Sequence, residues 1–275
     1  VSRAGPRRFA AGRALRAAPL ALVAAVPGCG VRGLLYPAPP VAVPSPPPAP
    51  LAEVRLAAPG GEPIVAWAGA SASPAAPVVV FFHGNGENLE TMRQVGLFED
   101  VGALGVAFLA VDYPGYGRSG GEPSEAANLQ AAEAALGWAR ERHPGRRVVV
   151  FGWSLGAAVG VQLAALRPQE VDALVAVSPW TSLAEVARAH FPAWLVRAAL
   201  RERYDSQAAA ARVRCPVLVV HGELDSIIPA AQGRDLAAAL GARARFVLVP
   251  GAGHNDVLAV PAVWSEVRGF LERLG

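Results

Sequence analysis

Three residue types that cooperate in nucleophilic catalysis stand just past hydrophobic runs in this chain. Ser154 follows the run Val148–Phe151, inside Gly152-Trp153-Ser154-Leu155-Gly156. Asp225 follows Pro216–Val220, within His221-Gly222-Glu223-Leu224-Asp225, and His254 follows Arg245–Val249, at the end of Gly251-Ala252-Gly253-His254. A serine hydroxyl is a weak nucleophile at neutral pH. A neutral imidazole at hydrogen-bond distance takes its proton, and a carboxylate fixes the tautomer of that imidazole and stabilises the imidazolium that forms. The order Ser, Asp, His suits an open parallel sheet, in which each residue sits at a strand's carboxyl end. Glu223 and Asp256 are rivals to Asp225 by proximity alone; Asp256 reads better as a helix N-cap or loop acceptor.

Ser154 needs a particular frame. Val148–Phe151 reads as a strand buried on both faces, and Ala157–Leu166 as a helix. The pentapeptide therefore spans a sharp strand-to-helix turn. The residues two before and two after the serine must be small for the chains to pass, and Gly152 and Gly156 meet that need. A tetrahedral intermediate also needs N–H donors for its oxyanion. The backbone N–H of Leu155, directly after the nucleophile, supplies one, and the His83-Gly84-Asn85 loop supplies another, by the N–H of Asn85. His83 reads as a loop-supporting residue rather than a base, and Asp112 and Ser119 as structural.

The remaining elements alternate. A hairpin over Glu53–Ala58 and Pro63–Ala68 precedes a strand at Val78–Phe82, a helix at Thr91–Leu104, a strand at Val106–Val111 and a helix at Pro123–His143. Beyond the Ser154 helix come a strand at Val171–Val177, a mostly helical stretch at Leu183–Ala211, a helix at Ala230–Leu240 and a last helix at Pro261–Leu274. This pattern predicts an α/β fold, with a mostly parallel, doubly wound sheet covered on both faces.

The segments His83-Gly84-Asn85, Asp112-Tyr113-Pro114-Gly115-Tyr116-Gly117-Arg118-Ser119, Gly152-Trp153-Ser154-Leu155-Gly156, His221-Gly222-Glu223-Leu224-Asp225-Ser226-Ile227-Ile228-Pro229 and Gly251-Ala252-Gly253-His254 together resemble the α/β-hydrolases. They are similar to the serine-aminopeptidase-like, bud-emergence-type branch, which includes lysophospholipases and protein depalmitoylases. The resemblance runs from Val78 to the chain end. It implies the triad Ser154, Asp225 and His254, an oxyanion hole at Asn85 and Leu155, and a small helical cap at about 183–211. Phe191, Trp194, Leu195 and Leu200 of that cap would line an acyl pocket or simply pack the helix. The activity implied is hydrolysis of carboxylic esters or thioesters, lipid or small-molecule, through an acyl-enzyme. Peptide hydrolysis by the same machinery, and a silent binding protein on this fold, are the alternatives.

The chain begins differently. Residues 1–52 carry six arginines and no acid, whereas the rest holds 19 arginines against 22 acids. The mildly acidic globular part gives no case for nucleic-acid binding. Arg3–Arg16 is basic, Ala17–Val26 short and apolar, and Cys29 follows the small Gly28. This order is that of a secretory signal and resembles a bacterial lipobox with Cys29 as the lipidated residue. Leu34-Leu35-Tyr36-Pro37 also resembles the corresponding stretch of bacterial lipoproteins of the same branch. Eight prolines in Pro37–Pro50 predict an extended stalk. The expected organisation is a lipoprotein-like signal over 1–28, a proline-rich stalk over 29–50, and a hydrolase domain over 51–275 at a bacterial envelope membrane. No metal-ligand spacing or phosphate loop occurs, so no metal or cofactor is expected. Cys215 reads as a buried thiol.

Overall fold

The computed structural model describes residues 33, 35–39, 41, 45–57, 61–71 and 73–274. Cys29 and the signal-like leader lie outside the described residues.

Eight strands form one sheet in the order β1-β2-β4-β3-β5-β6-β7-β8. β1 (Ala52–Ala57) and β2 (Pro63–Gly69) make the expected antiparallel hairpin, and β2 is also antiparallel to β4 (Ala107–Val111). The strands β3 (Val78–Phe82), β4, β5 (Val148–Trp153), β6 (Ala173–Val177), β7 (Val217–Gly222) and β8 (Ala244–Val249) are parallel. β3 to β7 are buried at every position, which is why they read as unbroken Val, Ala and Phe runs rather than alternating ones.

Successive residues of a strand feed opposite layers. Val78, Val80 and Phe82 enter one core with α3 (Glu125–Arg142), α4 (Leu155–Leu166), α7 (Ser206–Ala210) and α8 (Ala230–Leu240). Val79 and Phe81 enter the other, with α1 (Leu89–Gln94), α2 (Leu97–Gly102) and α9 (Pro261–Glu272). The single helix expected over Thr91–Leu104 is two, because Gly96 adopts φ 80° and breaks the ladder between α1 and α2. The stretch over 183–211 is likewise divided, into α5 (Leu183–Arg188), α6 (Ala193–Ala199) and α7. Pro192 stands at the start of α6, where a missing N–H costs the helix nothing.

The chain meets the domain well before Leu51, and the stalk reading is corrected at its beginning. Tyr36 is buried, Leu35 and Ala38 pack against the core, and the Leu35 and Pro39 carbonyls accept side-chain hydrogen bonds from the loop after β3. Proline restricts the backbone but not docking, and the segment leaves the Leu35 and Pro39 carbonyls free to accept.

The passage of α4 across the sheet sets the tightest packing. A Cβ on Gly152 would stand 2.0 Å from the Gly156 carbonyl oxygen, and one on Gly156 would stand 2.0 Å from that of Phe82. Both obstacles are backbone, so α4 and β3 would have to separate. Gly156→Ala should therefore lose about 3 kcal/mol or more of unfolding free energy. Gly137→Ala, at an exposed α3 position with nothing near the added methyl, should gain about 0.5–1 kcal/mol. Urea unfolding of the two variants measures the contrast; equal midpoints would contradict it.

Candidate active site

Ser154 sits between β5 and α4 with φ 56° and ψ −114°. A non-glycine residue there carries about 1–3 kcal/mol of strain and persists only where its surroundings fix it. Here the fixing groups are the glycine crossing and the Ser154 N–H bond to the Val177 carbonyl, 2.9 Å. The result is a hydroxyl raised above the carboxyl ends of the strands.

The structure brings Ser154, His254 and Asp225 together from three separate strand ends. His254 Nε2 lies 3.0 Å from Ser154 Oγ, and His254 Nδ1 lies 2.7 Å from Asp225 Oδ2. All three residues are buried. The carboxylate fixes the tautomer: Nδ1 carries a proton and donates to Asp225, which leaves Nε2 to accept from the serine.

Asp225 accepts three hydrogen bonds, from two backbone N–H groups and one imidazole. Its Oδ1 accepts from the N–H groups of Ile227 and Ile228 at 3.0 and 2.7 Å. Its Oδ2 accepts from His254 and lies 3.3 Å from Nε2 of the fully buried His221, which donates to the Ile228 carbonyl at 2.9 Å. Burial pushes against ionisation of this carboxyl, but the His221 imidazole beside it and the hydrogen bonds from His254 and the Ile228 N–H outweigh it and hold the group well below the usual carboxylate range. The rivals are engaged elsewhere. Glu223 Oε2 accepts from the Gly251 N–H at 3.0 Å, and Asp256 Oδ1 from the Gly253 N–H at 2.6 Å, so each braces the His254 loop without meeting the imidazole.

Asn85 and Ser154 share the lining of a cavity of about 230 Å³ with Gly84, Trp153, Trp180 and His254. Leu155 opens α4, so its N–H has no carbonyl partner within the helix. His83 is buried, with Nδ1 donating to the Gly84 carbonyl at 2.8 Å, and it supports the loop without entering the cavity. Ser119 bonds to the Val65 N–H and the Asp112 carbonyl, away from the cavity. Cys215 is a free buried thiol, which burial pushes up to about 11.

The apolar lining differs from the expected one. Leu183 and Val186 of α5, with Ile227 and Ile228 of the acid loop, border the cavity, whereas Phe191, Trp194 and Leu195 do not. Phe191 is 51% and Trp194, on α6, 70% exposed, so neither ring is covered by the domain. Leu183 and Val186 carried a usable signal in the sequence, an i, i+3 apolar pair directly after the strand-end Trp180. His221 was likewise legible as a strand-end residue four before Asp225.

The comparisons with known proteins agree with this fold. The family described as alpha/beta hydrolase fold matches residues 77–203, and that described as TAP-like protein matches 193–274. An uncharacterized protein of Mycobacterium tuberculosis is 41% identical over 201 residues, covering 71% of this chain and 69% of its own. Protein bem46 of Schizosaccharomyces pombe is 30% identical over 71% of this chain and 67% of its own. The lysophosphatidylserine lipase ABHD12 of Danio rerio is 30% identical over 62% of this chain but only 49% of its own length. Among solved structures, the Pyrococcus furiosus esterase Pf2001 superposes with a TM-score of 0.72 at 19% identity, covering 86% of this chain and 99% of that one.

The hydrogen-bonded environment of Asp225 has a consequence for stability. A carboxyl held below its unfolded value contributes stability that is present above the unfolded pKa, near 3.9, and is lost as pH falls below it toward the folded value. Between pH 7 and pH 2 the wild type should therefore lose on the order of 2 kcal/mol more than Asp225→Asn. Urea midpoints across that range test this, and parallel pH slopes for the two proteins would contradict it.

Proposed function

The chain belongs to the alpha/beta hydrolase fold family, and from that premise we propose that it is a serine hydrolase cleaving carboxylic esters or thioesters through an acyl-enzyme. One observation carries the reading: the continuous hydrogen-bonded path from Ser154 Oγ through His254 to Asp225, mounted on a strained serine beside a cavity.

In this reading Ser154 Oγ attacks the substrate carbonyl carbon while His254 Nε2 takes the hydroxyl proton. The carbonyl oxygen becomes an oxyanion, which the N–H groups of Leu155 and Asn85 receive. The intermediate collapses as the bond to the leaving oxygen or sulfur breaks, and the imidazolium returns the proton to that group. Water then enters, gives a proton to His254 and attacks the ester of Ser154; the acid departs and Ser154 recovers its proton. Asp225 stays ionised and orients the ring throughout. A cavity of about 230 Å³ is below the usual ~300–1,000 Å³ of ligand pockets, which favours a small acyl group or the reacting end of a longer one.

A lipid-like ester is the favoured substrate class. The relative named as a lysophosphatidylserine lipase supports it, as does the apolar wall of Leu183, Val186 and Ile227. We further propose export and lipidation at Cys29. Leu35, which touches the domain, is only six residues after Cys29, so a lipid there would keep the docked segment within about 20 Å of the bilayer surface.

Ser154→Ala should lower kcat on p-nitrophenyl butyrate by about 10⁴ or more and leave a small residual rate from the oxyanion donors. Undiminished turnover by this variant would sink the reading. The anchor is tested separately: a clickable fatty acid fed to bacteria expressing the chain should label the wild type and not Cys29→Ala, and an unlabelled wild type would reject it.

A further inference from the structure

Leu35, Tyr36 and Pro37 of the Leu34-Leu35-Tyr36-Pro37 motif have no part in the triad and do not line the cavity, yet they run along the loop that carries Asn85. The Leu35 carbonyl accepts from Asn85 Nδ2 at 2.7 Å. Pro37 faces Gly86, with its Cγ 3.8 Å from where a Cβ would sit on that glycine. The Pro39 carbonyl accepts at 3.1 Å from Nδ2 of Asn88, whose Oδ1 caps α1. One segment thus hydrogen-bonds both ends of the stretch from Asn85 to Asn88 and faces the glycine between them.

That segment is itself fixed. Tyr36 is 4% exposed, and its hydroxyl lies 2.9 Å from that of Tyr204. Tyr204 accepts from Asn128 Nδ2 of α3 at 3.0 Å, its carbonyl accepts from Trp180 Nε1 at 3.1 Å, and its N–H donates to Glu125 at 2.8 Å. The anchor is a buried polar knot tied to α3 and to the strand-end tryptophan beside the cavity.

Asn85 is held from the opposite side as well. The Tyr116 hydroxyl donates to Asn85 Oδ1 at 2.5 Å. The amide group therefore has one partner for its NH₂ and another for its oxygen, and its orientation is set from both ends. The loop tip needs such support, since Gly84 and Gly86 flank an exposed Asn85 and Gly86 adopts φ 81°.

We infer that Leu35–Pro39 is a positioning element of the oxyanion hole: by clamping the Asn85 side chain, it holds the Asn85 backbone N–H toward the cavity. This inference rests on the hydrolase reading above. Its chemistry is that of preorganisation. A donor contributes to catalysis only if it already points at the place where the oxyanion forms, and a misplacement of about 1 Å costs up to about 10²-fold.

The test separates positioning from the donor itself, because the donor is backbone. Asn85→Ala keeps the N–H but cuts both of its ties. Tyr36→Phe keeps the buried ring but cuts the bond to Tyr204. Steady-state kinetics on p-nitrophenyl butyrate are normalised to competent sites titrated with a fluorophosphonate, and affinity is measured for a trifluoromethyl ketone, which forms a tetrahedral adduct on the serine. Asn85→Ala should lose about 10- to 100-fold and Tyr36→Phe about tenfold in kcat, each with KM within twofold. Affinity for the ketone should fall by the same factor as kcat/KM. Ser45→Ala, which removes only a 3.4 Å contact with Glu90, should match wild type. An active wild type with both variants unchanged in kcat and ketone affinity overturns this inference alone. A wild type that neither labels nor turns over overturns the hydrolase reading and this inference together.

Discussion

The site depends on the crossing of α4 over the end of β5. Two glycines bring backbone against backbone there, at a distance that excludes a single methyl group at either position. The closeness has a mechanical effect: Ser154 cannot relax into a helical or extended conformation, because relaxing would drive α4 into β3. Strain of about 1–3 kcal/mol is held in place by a core of fully buried strands on either side. The hydroxyl is the part left free to project, and the first turn of α4 delivers an unpaired N–H directly beside it.

Around that fixed point the other groups are set by polar satisfaction rather than by packing. Asp225 is a buried carboxylate, which is costly unless every lone pair is engaged, and the loop from His221 to Ile228 folds so that two backbone N–H groups and one imidazole meet it. The third hydrogen bond comes from His254, so the same arrangement that makes the charge tolerable also orients the ring toward Ser154. Stability and orientation are one arrangement here. The Asn85 loop follows the same logic, with its amide held between Tyr116 and the Leu35 carbonyl.

Much of this was legible in the sequence, and the division follows physical range. The buried parallel strands announce themselves as runs of Val, Ala and Phe, and the serine turn by glycines at two fixed offsets, because both are local demands on adjacent residues. The choice of Asp225 over Glu223 and Asp256 was open to proximity, and it is decided by which carboxylate the loop folds around. The break at Gly96 was missed because an isolated glycine in an apolar helical pattern is often tolerated. Phe191 and Trp194 misled because aromatic content says nothing of which side of a short segment faces the domain. The docking of Leu35 and Tyr36 was invisible: its partners lie 50 and 168 residues away, joined by single hydrogen bonds that leave no periodic trace.

The central claim is that Ser154 is the residue the fold prepares for covalent chemistry. Its most direct test is peptide mapping by mass spectrometry after the folded chain has been treated with a fluorophosphonate. The account predicts one adduct per chain, on the peptide containing Ser154, and none after prior unfolding in urea. An adduct on another residue such as Ser119 or Ser178, or no adduct on the folded chain, would contradict it.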